Sequence, residues 1–192
     1  MPLTRKLLLT SCLALSLPAF AQGAAPAAPA PAAAPAATFQ SDVVAVLGHV
    51  QDEMVSLEQA MPQGKFNWRP GKGVRSVAEV YLHAAGAGYF FGKQLGFEIP
   101  AEVAAEMKNF EKQTTDKAKI HKALIDSFAW FGAQVRQMPD AELGKTVNLF
   151  GHDMTKRAIV MITLGHFQEH LGQSIAYARS NGVVPPWSKG EK

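Results

Sequence analysis

The chain has almost no cysteine. Cys12 is the one thiol in 192 residues, and it falls in a stretch that reads as a removable leader. The processed chain then has no means of forming a disulfide, a thiolate metal site or a cysteine nucleophile. A dominant charge sign is missing too: 19 Lys and Arg stand against 16 Asp and Glu, a net charge of +3. Loss of Arg5 and Lys6 with the leader leaves 17 against 16, a net of +1. Scattered basic residues near neutrality leave no electrostatic footprint for nucleic acid. Beyond the leader no apolar run approaches the ~20 residues of a membrane span, so no stable membrane insertion is expected. No segment alternates apolar and polar residues with period two, so strands are not expected.

What is present divides the chain into parts. Residues 1–21 have the form of a secretory signal peptide: Arg5 and Lys6, an apolar run from Leu7 to Phe20, and the cleavage signal Ala19-Phe20-Ala21. A periplasmic or secreted location follows from that reading. Residues 22–37 are almost wholly Ala, Pro and Gly, a composition that builds no core and reads as a linker. Residues 38–188 have the size of one domain, and 189–192 are a polar tail.

Within the domain the apolar spacing is helical. Val43, Leu47, Val50, Met54, Leu57 and Met61 recur every three or four residues, which predicts a helix over Ser41–Met61 ended by Pro62 and Gly64. Ser76-Val77-Ala78-Glu79 is a capping box opening a second helix to about Leu95. The small run Ala84-Ala85-Gly86-Ala87-Gly88 in that helix allows neighbours to approach closely. The segment 96–113 lacks a period, with one short helix expected near Ala101–Met107. Thr115 or Asp116 caps a third helix, which Pro139 stops, and 140–153 reads as a connecting loop. A fourth helix is expected over Met154–Ser180, stopped by Asn181-Gly182 and Pro185-Pro186. It carries two apolar stripes, one through Ile159, Ile162, Thr163, His166, His170, Gln173 and Tyr177, the other through Val160, Leu164, Phe167, Leu171, Ile175 and Ala178. Two stripes imply two partners, the bundle core and a second subunit, hence a homodimer through this helix. The fold class is all-α, a four-helix bundle with a long crossover between helices two and three.

The histidines carry the chemistry. His166 and His170 are four residues apart, so both rings share one helix face inside an apolar stripe. Unpartnered buried imidazoles are costly, and the two are relieved either by separate hydrogen-bond acceptors or by one shared cation. A catalytic zinc usually takes three protein ligands. His49 lies on the solvated side of the first helix and His121 at the edge of the third. His152, in the connecting loop, either caps the last helix or approaches the site. His83, amid the crowded second helix, is the best third ligand. Glu79 shares its face, either as a fourth ligand or base or, the favoured reading, as the capping-box partner of the Ser76 N–H. His166-x-x-Glu169-His170 matches the pattern of inverted zinc peptidases, yet Glu191 is the sole acid after His170, so the downstream acidic ligand is lacking. Glu169 is the catalytic candidate, either as a base or as a carboxylate behind the ligands; a solvated glutamate is the plain alternative.

The ordered set Phe66-Asn67-Trp68-Arg69-Pro70, Val74 to His83, His166 to Gln173, Tyr177 to Gly182 and Pro185-Pro186 resembles the DinB/YfiT-like superfamily of bacterial metalloproteins, over about Ser41 to Pro186. The resemblance implies a four-helix bundle with a long link between helices two and three. It implies metal ligation by His83, His166 and His170, zinc or nickel as the ion, and frequent dimers. Some members of the family look like transferases using small cytosolic thiols, whereas this chain carries an export signal. The functional expectation is a metal-dependent hydrolase or transferase acting on a small molecule through a water position left open by three His ligands. The alternatives are a metal-binding or sensing module without turnover and a structural bundle.

Overall fold

The computed structural model describes residues 37–188 and Gly190. The expectations for 1–21 and for 22–36 lie outside the described residues, as does most of the 189–192 tail. Four long helices form the bundle: α1 (Phe39–Ala60), α2 (Val77–Gln94), α4 (Lys117–Gln137) and α6 (Lys156–Ser180). Short helices α3 (Ala101–Glu106) and α5 (Asp140–Leu143) sit in the connections. Helices α1 and α2 each pack against both α4 and α6, so the four make a closed ring with α1 and α2 on one diagonal. The crossover between α2 and α4 carries α3 and a 3-10 segment, Met107–Lys112, which lies against α2.

The helix ends follow local chemistry. The Ser76 hydroxyl accepts from Glu79 N–H, while Glu79 Oε2 accepts from Ser76 N–H at 2.7 Å, the reciprocal capping box. Asp116 caps α4 by accepting from Ala118 and Lys119 N–H. Val43, Leu47, Val50, Met54 and Leu57 of α1 are buried as their spacing predicts, and so are Ile120, Leu124, Phe128, Phe131 and Val135 of α4. On α6 the second stripe is buried from Val160 to Ala178 apart from the half-buried Ile175, whereas Ile162 of the first stripe turns outward beside Met161.

Helix α2 shows why its sequence is small. A Cβ at Gly88 would lie 2.4 Å from Ser127 Oγ, and one at Gly92 would lie 2.4 Å from the Trp130 ring. Glycine there lets α4 come close enough for Ser127 Oγ to donate to the Ala85 carbonyl at 2.6 Å.

The 140–153 segment corrects the sequence reading. It holds α5 and most of an antiparallel hairpin of β1 (Thr146–Leu149) and β2 (His152–Thr155), with Leu149 opposite His152. Phe150 (φ 54°) and Gly151 (φ 87°) form its two-residue turn, both left-handed as a type I′ hairpin turn requires. Strands of four residues are too short to establish a period. Phe150 also occupies a position where Asn, Asp or Gly is usual.

Candidate metal centre

Helices α2 and α6 pack face to face, and this brings three imidazoles together. His83 comes from the middle of α2, and His166 and His170 from successive turns of α6. One ligand atom from each ring lies within 4.8 Å of the others. The Nε2 atoms of His83 and His166 are 3.1 Å apart, close to the ~3.3 Å that tetrahedral ligation at about 2.05 Å imposes on neighbouring nitrogens. His170 is buried and the other two rings are half-buried.

The outer nitrogens decide what the inner ones are. His83 Nδ1 lies 2.6 Å from Glu111 Oε1. A carboxylate can only accept, so neutral His83 carries its proton on Nδ1 and turns a bare Nε2 lone pair inward. Glu111 is held in turn by Arg75, whose Nε and Nη2 donate at 2.8 and 3.1 Å. A second chain reaches His170. The Arg75 carbonyl accepts from Tyr177 O–H at 3.2 Å, and the phenol oxygen accepts from Gln173 Nε2 at 3.1 Å. That turns Gln173 Oε1 toward His170 Nδ1, 2.8 Å away, so this imidazole also donates from Nδ1 and leaves Nε2 free. Arg75 thus fixes two tautomers, one through its side chain and one through its backbone. Such partners orient metal-binding histidines and raise their basicity.

Electrostatics keep the two α6 rings neutral. Burial, then the neighbouring His170 and His83, lowers the His166 pKa to about 4. Burial likewise lowers that of His170, despite the Gln173 hydrogen bond. Burial pushes the Glu111 carboxyl up, but hydrogen bonds from Arg75 and His83 outweigh it and hold it below the ordinary carboxylate range. At neutral pH the two α6 imidazoles are neutral and Glu111 is ionised behind His83, a donor set suited to a divalent cation.

The remaining sequence candidates fall elsewhere. Glu169 is exposed, with Oε2 3.9 Å from His166 Nδ1, on the outer side of that ring. Glu79 is engaged in its capping box and with Arg69 at 3.3 Å. His49 is exposed beside Glu53, His152 is exposed on β2, and His121 pairs with Glu58 at 2.9 Å. Sequence reasoning missed Glu111 and Arg75. Glu111 sits in the aperiodic crossover, and no spacing links it to His83.

A cavity of about 310 Å³ opens beside His83 and His166, with Phe90, Phe91, Phe110 and Phe150 among its walls.

A bundle of four long helices with imidazoles from the second and the last of them converging at one point defines a class of helical proteins equipped to hold a metal ion. The sequence profile described as the DinB superfamily matches residues 47–174, and the chain belongs to that superfamily. Among solved structures, it is similar to a DinB-like protein from Bacillus cereus, with a TM-score of 0.67 and 15% identity over 78% of this chain and 98% of that one. It is also similar to a DinB-like protein from Bacillus subtilis, with a TM-score of 0.59 and 17% identity over 74% of this chain and 94% of that one. At these identities the likeness establishes the fold. No curated protein matches the chain.

Proposed function

We propose that this protein is an exported metalloprotein that binds one divalent ion, zinc or nickel, at His83, His166 and His170, and acts on a small molecule by hydrolysis or group transfer. The observation that carries the reading is the polarity of the three rings. The Nδ1 atoms of His83 and His170 are taken by outer partners, the Nε2 atoms of His83 and His166 face each other at 3.1 Å, and one ligand atom from each ring lies within 4.8 Å of the others. Histidines serving only as separate core hydrogen-bonders would not need one ligand atom from each of three rings gathered within 4.8 Å.

When bound there, a divalent ion keeps its full 2+ charge among neutral ligands and lowers the pKa of a water or thiol in its open position. The chain's own residues do the rest. Arg75, Glu111, Gln173 and Tyr177 hold His83 and His170 in orientation, and the phenylalanines beside the cluster limit water. Glu169, exposed beside His166, serves proton exchange with solvent. The signal peptide supports a periplasmic or secreted location, and the exposed Met161 and Ile162 on α6 support a homodimer through that helix.

The test is metal analysis and titration of untagged protein. We expect one ion per chain and an affinity loss beyond about 100-fold in His166→Ala, more than the ~10–100-fold that losing an outer partner brings. No ion and no affinity for zinc or nickel would refute the reading. Equal turnover by wild type and His170→Ala in a substrate screen would refute its enzymatic half.

A further inference from the structure

We propose that the cavity beside the three histidines is a subsite for an uncharged aromatic group, so that the ligand is an aryl-bearing small molecule with a metal-binding head. This rests on the metal reading above. Four features point to it.

The first is size. The cavity measures about 310 Å³, roughly twice the ~150 Å³ that accommodates benzene in an engineered protein core, so it takes a ring with a short linker and head. The second is the wall. Phe90, Phe91, Met107, Phe110 and Phe150 surround it, and its polar lining is His83, His166 and Glu111, with no Lys or Arg. Away from the histidine cluster the wall offers no basic side chain to receive an anionic tail. A neutral ring meets aromatic faces and edges, the arrangement that such rings prefer.

The third is the floor. Gly86 and Ala87 of α2 line the cavity, and a Cβ at Gly86 would already lie 3.2 Å from Phe110 Cδ1. The small run in α2 therefore has two uses. Gly88 admits α4, and Gly86 with Ala87 keeps the cavity open. The fourth is Phe150. It occupies a left-handed turn position at φ 54°, is 74% exposed, and stacks on Phe90 at 5.7 Å and 13°. A large aromatic residue in that conformation, exposed at a hairpin tip, serves neither the turn nor the core. It does extend the aromatic wall at the rim, and backbone strain of this kind gathers at ligand sites.

The experiment loads the full chain with Co²⁺ and titrates two thiols with matched heads, phenylmethanethiol and 2-mercaptoethanesulfonate, following thiolate-to-cobalt absorption. A parallel arm detects toluene on the metal-free protein by saturation-transfer NMR. The variant is Phe150→Asn, which suits the turn while removing the ring. We expect phenylmethanethiol to bind at least tenfold more tightly than the sulfonate. We expect the variant to lose at least fivefold of that affinity with Co²⁺ affinity unchanged, and the toluene signal to weaken in the variant. Cobalt bound with equal thiol affinities, or with a preference untouched by Phe150→Asn, overturns the aryl subsite and leaves the metal reading standing. No cobalt binding, but a toluene signal that the variant abolishes, overturns the metal reading and supports the aryl site alone. Failure in both arms overturns both.

Discussion

Arg75 shows how much of the histidine cluster depends on one residue outside it. Its guanidinium holds Glu111 on His83, and its carbonyl ends the chain through Tyr177 and Gln173 to His170. Substituting Arg75→Met leaves the carbonyl in place and releases only the Glu111 arm. Zinc affinity is expected to fall about 10–100-fold with little change in helical content. Titration calorimetry beside circular dichroism checks this, and an unchanged affinity would show that Glu111 orients His83 without help. A different residue-scale prediction concerns Glu58. Its side chain is fully buried, Oε2 pairs with His121, and Oε1 has no partner among the described residues. Burial raises its pKa, against the opposing pull of His121 and Lys117. Between the unfolded value of about 4.5 and the raised folded value, the folded protein binds more protons than the unfolded chain. This group therefore makes stability fall as pH rises through that window. Glu58→Gln removes the titration, so the variant should gain on the wild type as pH rises from 4.5 toward neutrality in paired denaturant titrations. A difference that stays flat or shrinks with pH would contradict this.

At the scale of elements, the fit between α2 and α4 gives a sharp stability prediction. Gly88→Ala places a Cβ 2.4 Å from Ser127 Oγ, and Ser127 can move aside only by giving up its buried bond to the Ala85 carbonyl. Overpacking of this kind costs about 1–3 kcal/mol, more than the ~1 kcal/mol gained from better helix propensity. Adding Ser127→Ala removes the clashing atom, so the double variant should be more stable than Gly88→Ala alone. Denaturant melts of the four-member cycle measure this coupling; simple additivity would mean the helices shift apart freely. The same elements show what the sequence could and could not reveal. Helices α1, α2, α4 and α6 were legible because long runs repeat an apolar period, and the Ser76–Glu79 box marked the start of α2. His166 and His170 were legible because their spacing lies within one helix, whereas His83 stood out only as the candidate amid the crowded second helix and was assigned to the cluster by the family resemblance. The β1–β2 hairpin was not, since four residues per strand leave no period to count. Glu111 was not, because its partnership with His83 is made by folding the crossover back onto α2 and leaves no trace in local spacing.

For the whole molecule, the three histidines are placed as a clasp. One histidine lies on α2 and two on α6, helices far apart in sequence but in direct contact. An ion bound there ties the two together in the folded state and has no equivalent site in the unfolded chain. Stabilisation then follows mass action, about 2.7 kcal/mol when free metal is 100 times its dissociation constant. For a domain of this size each kcal/mol moves Tm by roughly 2–4 °C, so saturating zinc should raise Tm by about 5–10 °C over chelated protein. His83→Ala should abolish most of that rise, because it cuts the α2 side of the clasp. Its chelated Tm should move far less, since the half-buried His83 ring makes its polar contacts at the cluster and with Glu111. Calorimetry on both proteins, with zinc and with chelator, separates a metal-bridged bundle from one whose histidines merely pack. Equal zinc responses in wild type and His83→Ala would place the ion elsewhere.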